Sequence, residues 1–325
     1  MRARCPMMVA FTAAVGALSL AIAASAQGPA RLPMPLEPFG NANEAIYPAF
    51  EGWGATQDGT SYLIVLGYMN RNRAQVVEIP VGPDNRIEPG GPDYGQPTVF
   101  EPGRQTVVFA IKVPKDFGTK KLTWTLVANG QPAVVTFHLH PDYNLNFYKD
   151  EANGNEPPRM KFGVNAPMMT GPAVGFAQML TGSVGQPVPL KLWTSDPPPL
   201  EKNWESIVSA QNRPAPRPVT RDQVAIVNGQ VFGAGSGGRG ANSAVTGPDM
   251  TVAWTKVRGP GVVTVTPPRV PLVTNANRDT VVEATATATF SAPGEYVLRA
   301  QPIEAAGAGD GLCCFTFANV KVIVK

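Results

Sequence analysis

Three groupings of residues carry chemistry by type and spacing. His138 and His140 stand two apart, which puts both imidazoles on one strand face, where they could share a metal ion. A zinc site needs a third protein ligand, and the nearest, Asp142, lies beyond Pro141. The pair is read as solvent-facing imidazoles, with no metal site. Gly233-Ala234-Gly235-Ser236-Gly237-Gly238 spells G-x-G-x-x-G. A phosphate cradle also needs a strand before it and a helix after it, and Arg239-Gly240-Ala241-Asn242-Ser243 is poor helix. A nucleophile elbow at Ser236 fails for the same reason, so the stretch is read as a flexible loop. The third grouping is rich in oxygen ligands. Asp84, Asn85, Glu88 and Asp93 lie in a Gly/Pro-rich loop over 82–97, and Asn70-Arg71-Asn72-Arg73 forms a second polar turn. Calcium would suit such loops, but no EF-hand spacing is present and turn formation explains the composition. Polar loops on a rigid frame are where binding resides, so Asn70, Arg71, Asn72, Asp84, Asn85, Glu88 and Asp93 are the candidate ligand residues. No catalytic residue and no cofactor is expected.

Cysteine chemistry is confined to one place. Cys5 is expected to leave with an N-terminal export signal, leaving the neighbours Cys313 and Cys314. Adjacent Cα atoms are about 3.8 Å apart, shorter than the usual disulfide span. Two reduced thiols on opposite strand faces, a strained vicinal disulfide and intermolecular pairing all remain open. No disulfide framework holds the fold.

The elements that position these groups are strands. The chain has 33 glycines and 34 prolines in 325 residues, about a fifth of it, against roughly 12% in average usage. Tyr62–Tyr68 is an unbroken apolar run, as in a strand covered on both faces, and Asp58-Gly59 before it is a hairpin-type turn. Val76–Val81 and Thr106–Val113 read as further strands. Leu122, Trp124 and Leu126 alternate with threonines, Asn129-Gly130 turns the chain, and Val135, Phe137 and Leu139 return. Residues 144–180 show no steady period and read as an interdomain segment. Val188, Leu190 and Leu192 then alternate, stopped by Asp196-Pro197-Pro198-Pro199. Trp204, Ile207 and Val208 share a face of one or two helical turns within 200–210, and turn-rich stretches to about 247 complete a long insertion. Alternating strands resume at Val252 and Trp254 and run to Val320, Val322 and Val324.

The expected organisation is therefore all-β. Residues 1–26 are a signal peptide, with Arg2 and Arg4 before an apolar core and Ala24-Ser25-Ala26 as the cleavage site. A flexible lead-in follows over 27–46. An N-terminal antiparallel β-sandwich covers 47–143, the interdomain segment 144–180, and a second β-sandwich 181–325, with the insertion at about 200–247. The signal core is too short for a membrane span, so no transmembrane segment remains after cleavage. The formal charge is only +3, and Arg2 and Arg4 leave with the signal, which removes any electrostatic footprint for nucleic acid.

Trp254 followed by Gly259-Pro260-Gly261, then Ala288-x-Phe290-Ser291-x-Pro293-Gly294-x-Tyr296-x-Leu298, then Val320-x-Val322-x-Val324 resemble immunoglobulin-like domains of the polycystic-kidney-disease (PKD) type in exported bacterial proteins. The resemblance covers about 180–325 and implies an Ig-like sandwich, with no activity attached. The usual aromatic-Gly-Asp turn is replaced by Lys256-Val257-Arg258-Gly259-Pro260. Gly67-Tyr68-Met69-Asn70-Arg71-Asn72 and Gly82-Pro83-Asp84-Asn85 are similar to exported bacterial proteins of unknown role. The functional expectation is an exported, periplasmic or secreted, non-enzymatic binding or structural protein of the cell envelope or medium, its partner an envelope protein or glycan. The alternatives are a carbohydrate-binding accessory, with Trp53, Tyr94, Trp193 and Trp204 as platforms, and an envelope hydrolase, for which nothing places two carboxylates together.

Overall fold

Alternation along the chain sorts side chains between core and solvent, and two stacked-sheet bodies result. A computed structural model describes residues 40–150, 155–197, 250–273, 280–304 and 315–325, and the backbone alone at 224–227 and 230–233. The expected signal peptide, the expected helical turns at 200–210, Trp204, most of the expected insertion, and Cys313 and Cys314 lie outside the described residues.

In the first body, β1 (Ile46–Ala55), β2 (Ser61–Asn70), β3 (Val77–Glu78), β4 (Asn85–Glu88), β5 (Val99–Phe100), β6 (Gly103–Pro114), β7 (Leu122–Ala128) and β8 (Gln131–Phe137) follow in order. Sheet β1-β2-β6 faces sheet β4-β7-β8, and β3 pairs with β5 as a short ribbon. The expected strand at Val76–Val81 is thus reduced to two residues. The β7–β8 hairpin forms as its alternation dictates, with Asn129 and Gly130 at φ 51° and 74°. Its Trp124 is fully buried and meets Phe109 edge-on at 5.1 Å. Residues 41–46, at the end of the expected lead-in, are held: Glu44 N–H donates to Asn72 Oδ1, and Asn129 Nδ2 to the Glu44 carbonyl.

The second body contains β9 (Arg159–Lys161), β10 (Pro172–Gly182), β11 (Val188–Ser195), the hairpin β12 (Val224–Val227) and β13 (Gln230–Gly233), β14 (Met250–Arg258), β15 (Val263–Thr266), β16 (Arg269–Leu272), β17 (Val282–Phe290), β18 (Gly294–Glu304) and β19 (Phe317–Val324). Sheet β15-β17-β11-β9 stacks on β10-β19-β18-β14-β16. With β9 as strand A, this is the ABED-against-CFG layout of an immunoglobulin-like sandwich, with β10 added parallel to β19 and β16 antiparallel to β14. Trp254 and Tyr296 lie in its core, and the Tyr296 hydroxyl donates to the Ala292 carbonyl at 2.7 Å, a tyrosine corner. Gly259, at φ 123°, lies against the Tyr296 ring, where a Cβ would clash. The stretch read as aperiodic, 144–180, supplies β9 and most of β10. It lacks alternation because β10 is an exposed edge carrying Gly175 at φ 80°.

β2 explains why Tyr62–Tyr68 is apolar throughout. Ile64, Leu66 and Tyr68 enter the first core, while Leu63 and Val65 on the other face pack with Val107, Phe147 and Phe317. Phe317 belongs to the second body, so one strand serves two cores. Polar contacts flank this seam. The Arg299 guanidinium donates to the Val107 carbonyl at 2.9 Å, where a bulge in β6 frees it, and lies 5.3 Å from the Phe317 ring. Burial pulls Arg299 down to about 10. Arg258 forks onto Asp93 at 2.7 and 3.0 Å, and Thr98 N–H donates to the Val257 carbonyl.

Candidate functional site

Gly52-Trp53-Gly54 on β1 builds a cleft by presenting opposite properties on opposite faces. Trp53 pairs with Ile64 and faces inward, whereas Gly52 and Gly54 pair with Val65 and Leu63 on the outer face. The chain returning from β8 occupies that outer side. Asn144 bridges Trp53 in parallel, and Leu145 N–H donates to the Trp53 carbonyl at 2.7 Å. A Cβ on Gly52 would fall 2.8 Å from Leu145 Cγ, and one on Gly54 2.8 Å from Phe147 Cε2, so only glycine admits this segment.

The resulting cleft measures about 830 Å³, within the range of small-ligand sites. Its aromatic walls are Trp53, Tyr62 and Tyr148, and its polar rim includes Gln57, Asn144 and Asn146. Trp53 is fixed by its indole N–H, which donates to the His140 carbonyl at 2.7 Å, and by edge contact with Tyr62 at 5.0 Å. Lys115 Nζ sits 4.2 Å from the Tyr62 ring centre, covering one of its faces. Tyr148 packs on Gly171 and its backbone N–H donates to Asn146 Oδ1 at 3.0 Å. Burial raises the Tyr148 hydroxyl, against a hydrogen bond from the Gln57 backbone, and the nearby Asp58 charge adds to the rise. Asp58 itself turns the β1–β2 hairpin. Hydrogen bonds from the Thr56 hydroxyl and from the Thr60 N–H and hydroxyl lower it to about 2. Among the described residues, no carboxylate, imidazole, thiol or amine lines the cleft. It offers flat apolar rings beside neutral carboxamides, the makings of an uncharged recognition surface.

The residues singled out from the sequence are placed elsewhere. Asn70 is buried and donates to the Gln75 and Phe100 carbonyls while accepting from the Asn72 amide. Asn72 holds both backbone groups of Glu44, and Arg71 Nε lies 4.0 Å from the Glu44 carboxylate. Asn85, fully buried, donates to the Ile79 and Pro97 carbonyls at 2.9 and 2.8 Å and accepts from Trp124 Nε1 at 3.0 Å. Glu88 pairs with Arg86 at 2.9 Å. Asp93 is held below the usual carboxylate range by Arg258. Asp84 is exposed, and its carbonyl accepts from Val127 N–H. The amides of Asn70, Asn72 and Asn85 and the carboxylates of Glu88 and Asp93 are engaged within the fold, the Asp84 side chain is exposed, and none of the seven lines the cleft. His138 and His140 stack edge to face at 5.5 Å beyond the end of β8. Of the aromatic platforms, Trp53 enters the cleft. Trp193 lies under Lys191, and Tyr94 bonds the Pro89 carbonyl. Tyr62, Tyr148 and the carboxamides were missed. The Asn144-Leu145-Asn146-Phe147 alternation and the Gly-Trp-Gly triplet were the available signals.

No protein-family model and no curated protein matches the chain. Among solved structures, it is similar to the D00-D0 domain of intimin (11% identity over 86% of this chain and all of that one, TM-score 0.23). It is likewise similar to the D0-D1 domain of intimin (10%, 86% and 97%, TM-score 0.22) and to a titin fragment (12%, 86% and 98%, TM-score 0.19). Overlays this loose carry no argument about function; the immunoglobulin-like layout rests on the strand order itself.

Proposed function

We propose that this chain is a non-enzymatic, exported binding protein that takes a neutral glycan in the Trp53–Tyr62–Tyr148 cleft, the Ig-like sandwich serving as a PKD-related spacer. The observation that supports this reading is the pairing of three aromatic walls with neutral carboxamides in one cleft. Sugar rings present apolar C–H faces for aromatic stacking and hydroxyls for amide hydrogen bonds, and an uncharged cleft avoids the desolvation cost of a charge. The hydrolase alternative needs an acid and a base across the bond, and among the described residues the lining supplies only tyrosines as titratable groups.

Calorimetric titration with short neutral oligosaccharides of glucose and of N-acetylglucosamine tests the proposal. Trp53→Ala and Asn144→Ala are each expected to weaken binding about tenfold, roughly 1.4 kcal/mol. The Asn144 variant changes an exposed side chain and leaves folding intact. Absence of binding to both sugar series, equal affinity in both variants, or turnover of the sugars overturns the reading.

A further inference from the structure

The four sheet edges of the second sandwich are treated unequally. β9 is three residues long with Arg159 and Lys161, and β15 is only four residues. β16 is four residues with Arg269 and Pro271, directly after Pro267 and Pro268. Short length, charge and proline are the devices that keep an edge from pairing with another chain. β10 has none of these three, although its pairing with β19 shifts register between Pro172 and Gln178 and β6 packs near it. It runs eleven residues, Pro-Ala-Val-Gly-Phe-Ala-Gln-Met-Leu-Thr-Gly, without a charge, and its proline occupies the first position, where it blocks nothing. One side of β10 pairs with β19, and among the described residues no strand is hydrogen-bonded to the other.

Its surface is apolar as well. Val174, Phe176 and Met179 are 50%, 52% and 63% exposed, and Val184 just beyond is 40% exposed. Exposed apolar residues concentrated on one unprotected edge mark an interaction site rather than ordinary surface scatter. The neighbouring charge is neutralised: Lys321, 5.7 Å from the Phe176 ring centre, is held by Glu295 at 2.8 Å.

We infer that β10 is a self-association edge, at which a second copy of this chain adds its own β10 antiparallel across a two-fold axis. The occupant follows from the charge pattern. A strand with no charge meets itself without like-charge repulsion, and an isologous contact needs one patch only. The contact joins the two five-stranded sheets into one over Val174–Leu180, in the register that sets Ala177 opposite its own counterpart, with about six inter-strand hydrogen bonds. So narrow a contact belongs to the weak class of interfaces, and the dimer forms at micromolar or higher concentration.

Sedimentation equilibrium of Gln27–Lys325 with reductant present, which removes any disulfide dimer through Cys313 or Cys314, tests this. The chain is expected to reach twice the monomer mass by about 100 µM. Ala177, exposed at the middle of the apolar run, is replaced by Lys in one variant and by Glu in another. Each alone is expected to shift dimerisation at least tenfold weaker, and an equal mixture is expected to restore it through cross-strand pairing of opposite charges. Restoration on mixing also shows that both variants are folded. A wild-type chain monomeric at about 1 mM, or variants that dimerise like wild type, overturns the inference.

Discussion

Truncating Asn85 to alanine removes three hydrogen bonds at once. The side chain is fully buried and links the Ile79 and Pro97 carbonyls to the Trp124 indole N–H. Alanine fills none of these roles, so one donor and two acceptors are left in the first core. Each buried polar group without a partner costs about 1–3 kcal/mol. A water molecule can enter the vacated space and recover part of this, since three polar groups surround it. The net expectation is about 3 kcal/mol, which for a cooperative unit of this size lowers the melting temperature by about 6–12 °C. Asn85→Asp separates geometry from charge. Its carboxylate still accepts from Trp124 but turns an oxygen toward two carbonyls, so its folded pKa is raised above the unfolded value. A carboxyl with a raised folded pKa favours the fold below its unfolded pKa and loses that stabilisation as pH rises. The aspartate variant should therefore be most impaired at neutral pH and recover toward pH 4. Differential scanning calorimetry across pH, with sugar titration alongside, measures both effects. A shift under about 2 °C for Asn85→Ala, or a loss of glycan affinity at unchanged stability, refutes the assignment of this residue to the fold.

Two further outcomes follow from the geometry around the cleft. The Asp58 carboxyl, observed by carbon NMR, should titrate near 2, and Thr60→Val should return it toward 3.8 by removing a hydroxyl donor. Because its folded pKa is depressed, its contribution to stability is present above the unfolded pKa and disappears as pH falls from about 4 to 2. Gly54→Ala places a Cβ 2.8 Å from Phe147 Cε2, so the segment at 144–148 must shift. Limited proteolysis should then cut there faster, at a stability cost of about 1–3 kcal/mol, and an unchanged cleavage rate contradicts the fit.

Much of the architecture could be read directly from side-chain alternation. The β7–β8 hairpin and its Asn129-Gly130 turn were legible because period-two polarity and turn chemistry are local properties. The Tyr62–Tyr68 run announced a strand buried on both faces, but not that Phe317, some 250 residues away, forms part of its second cover. The roles of the polar loops are hard to read from sequence for a related reason. Asn70, Asn72 and Asn85 have the composition of ligand residues, and only their tertiary neighbours show that their amides close carbonyls left unpaired by irregular chain. The cleft was equally hidden, because its walls come from β1, β2 and the segment after β8 and meet only where Gly52 and Gly54 let that segment in. Local polarity decides which residues become strands and which face each turns to the core; long-range packing alone decides which polar atoms are consumed and which surfaces remain to bind.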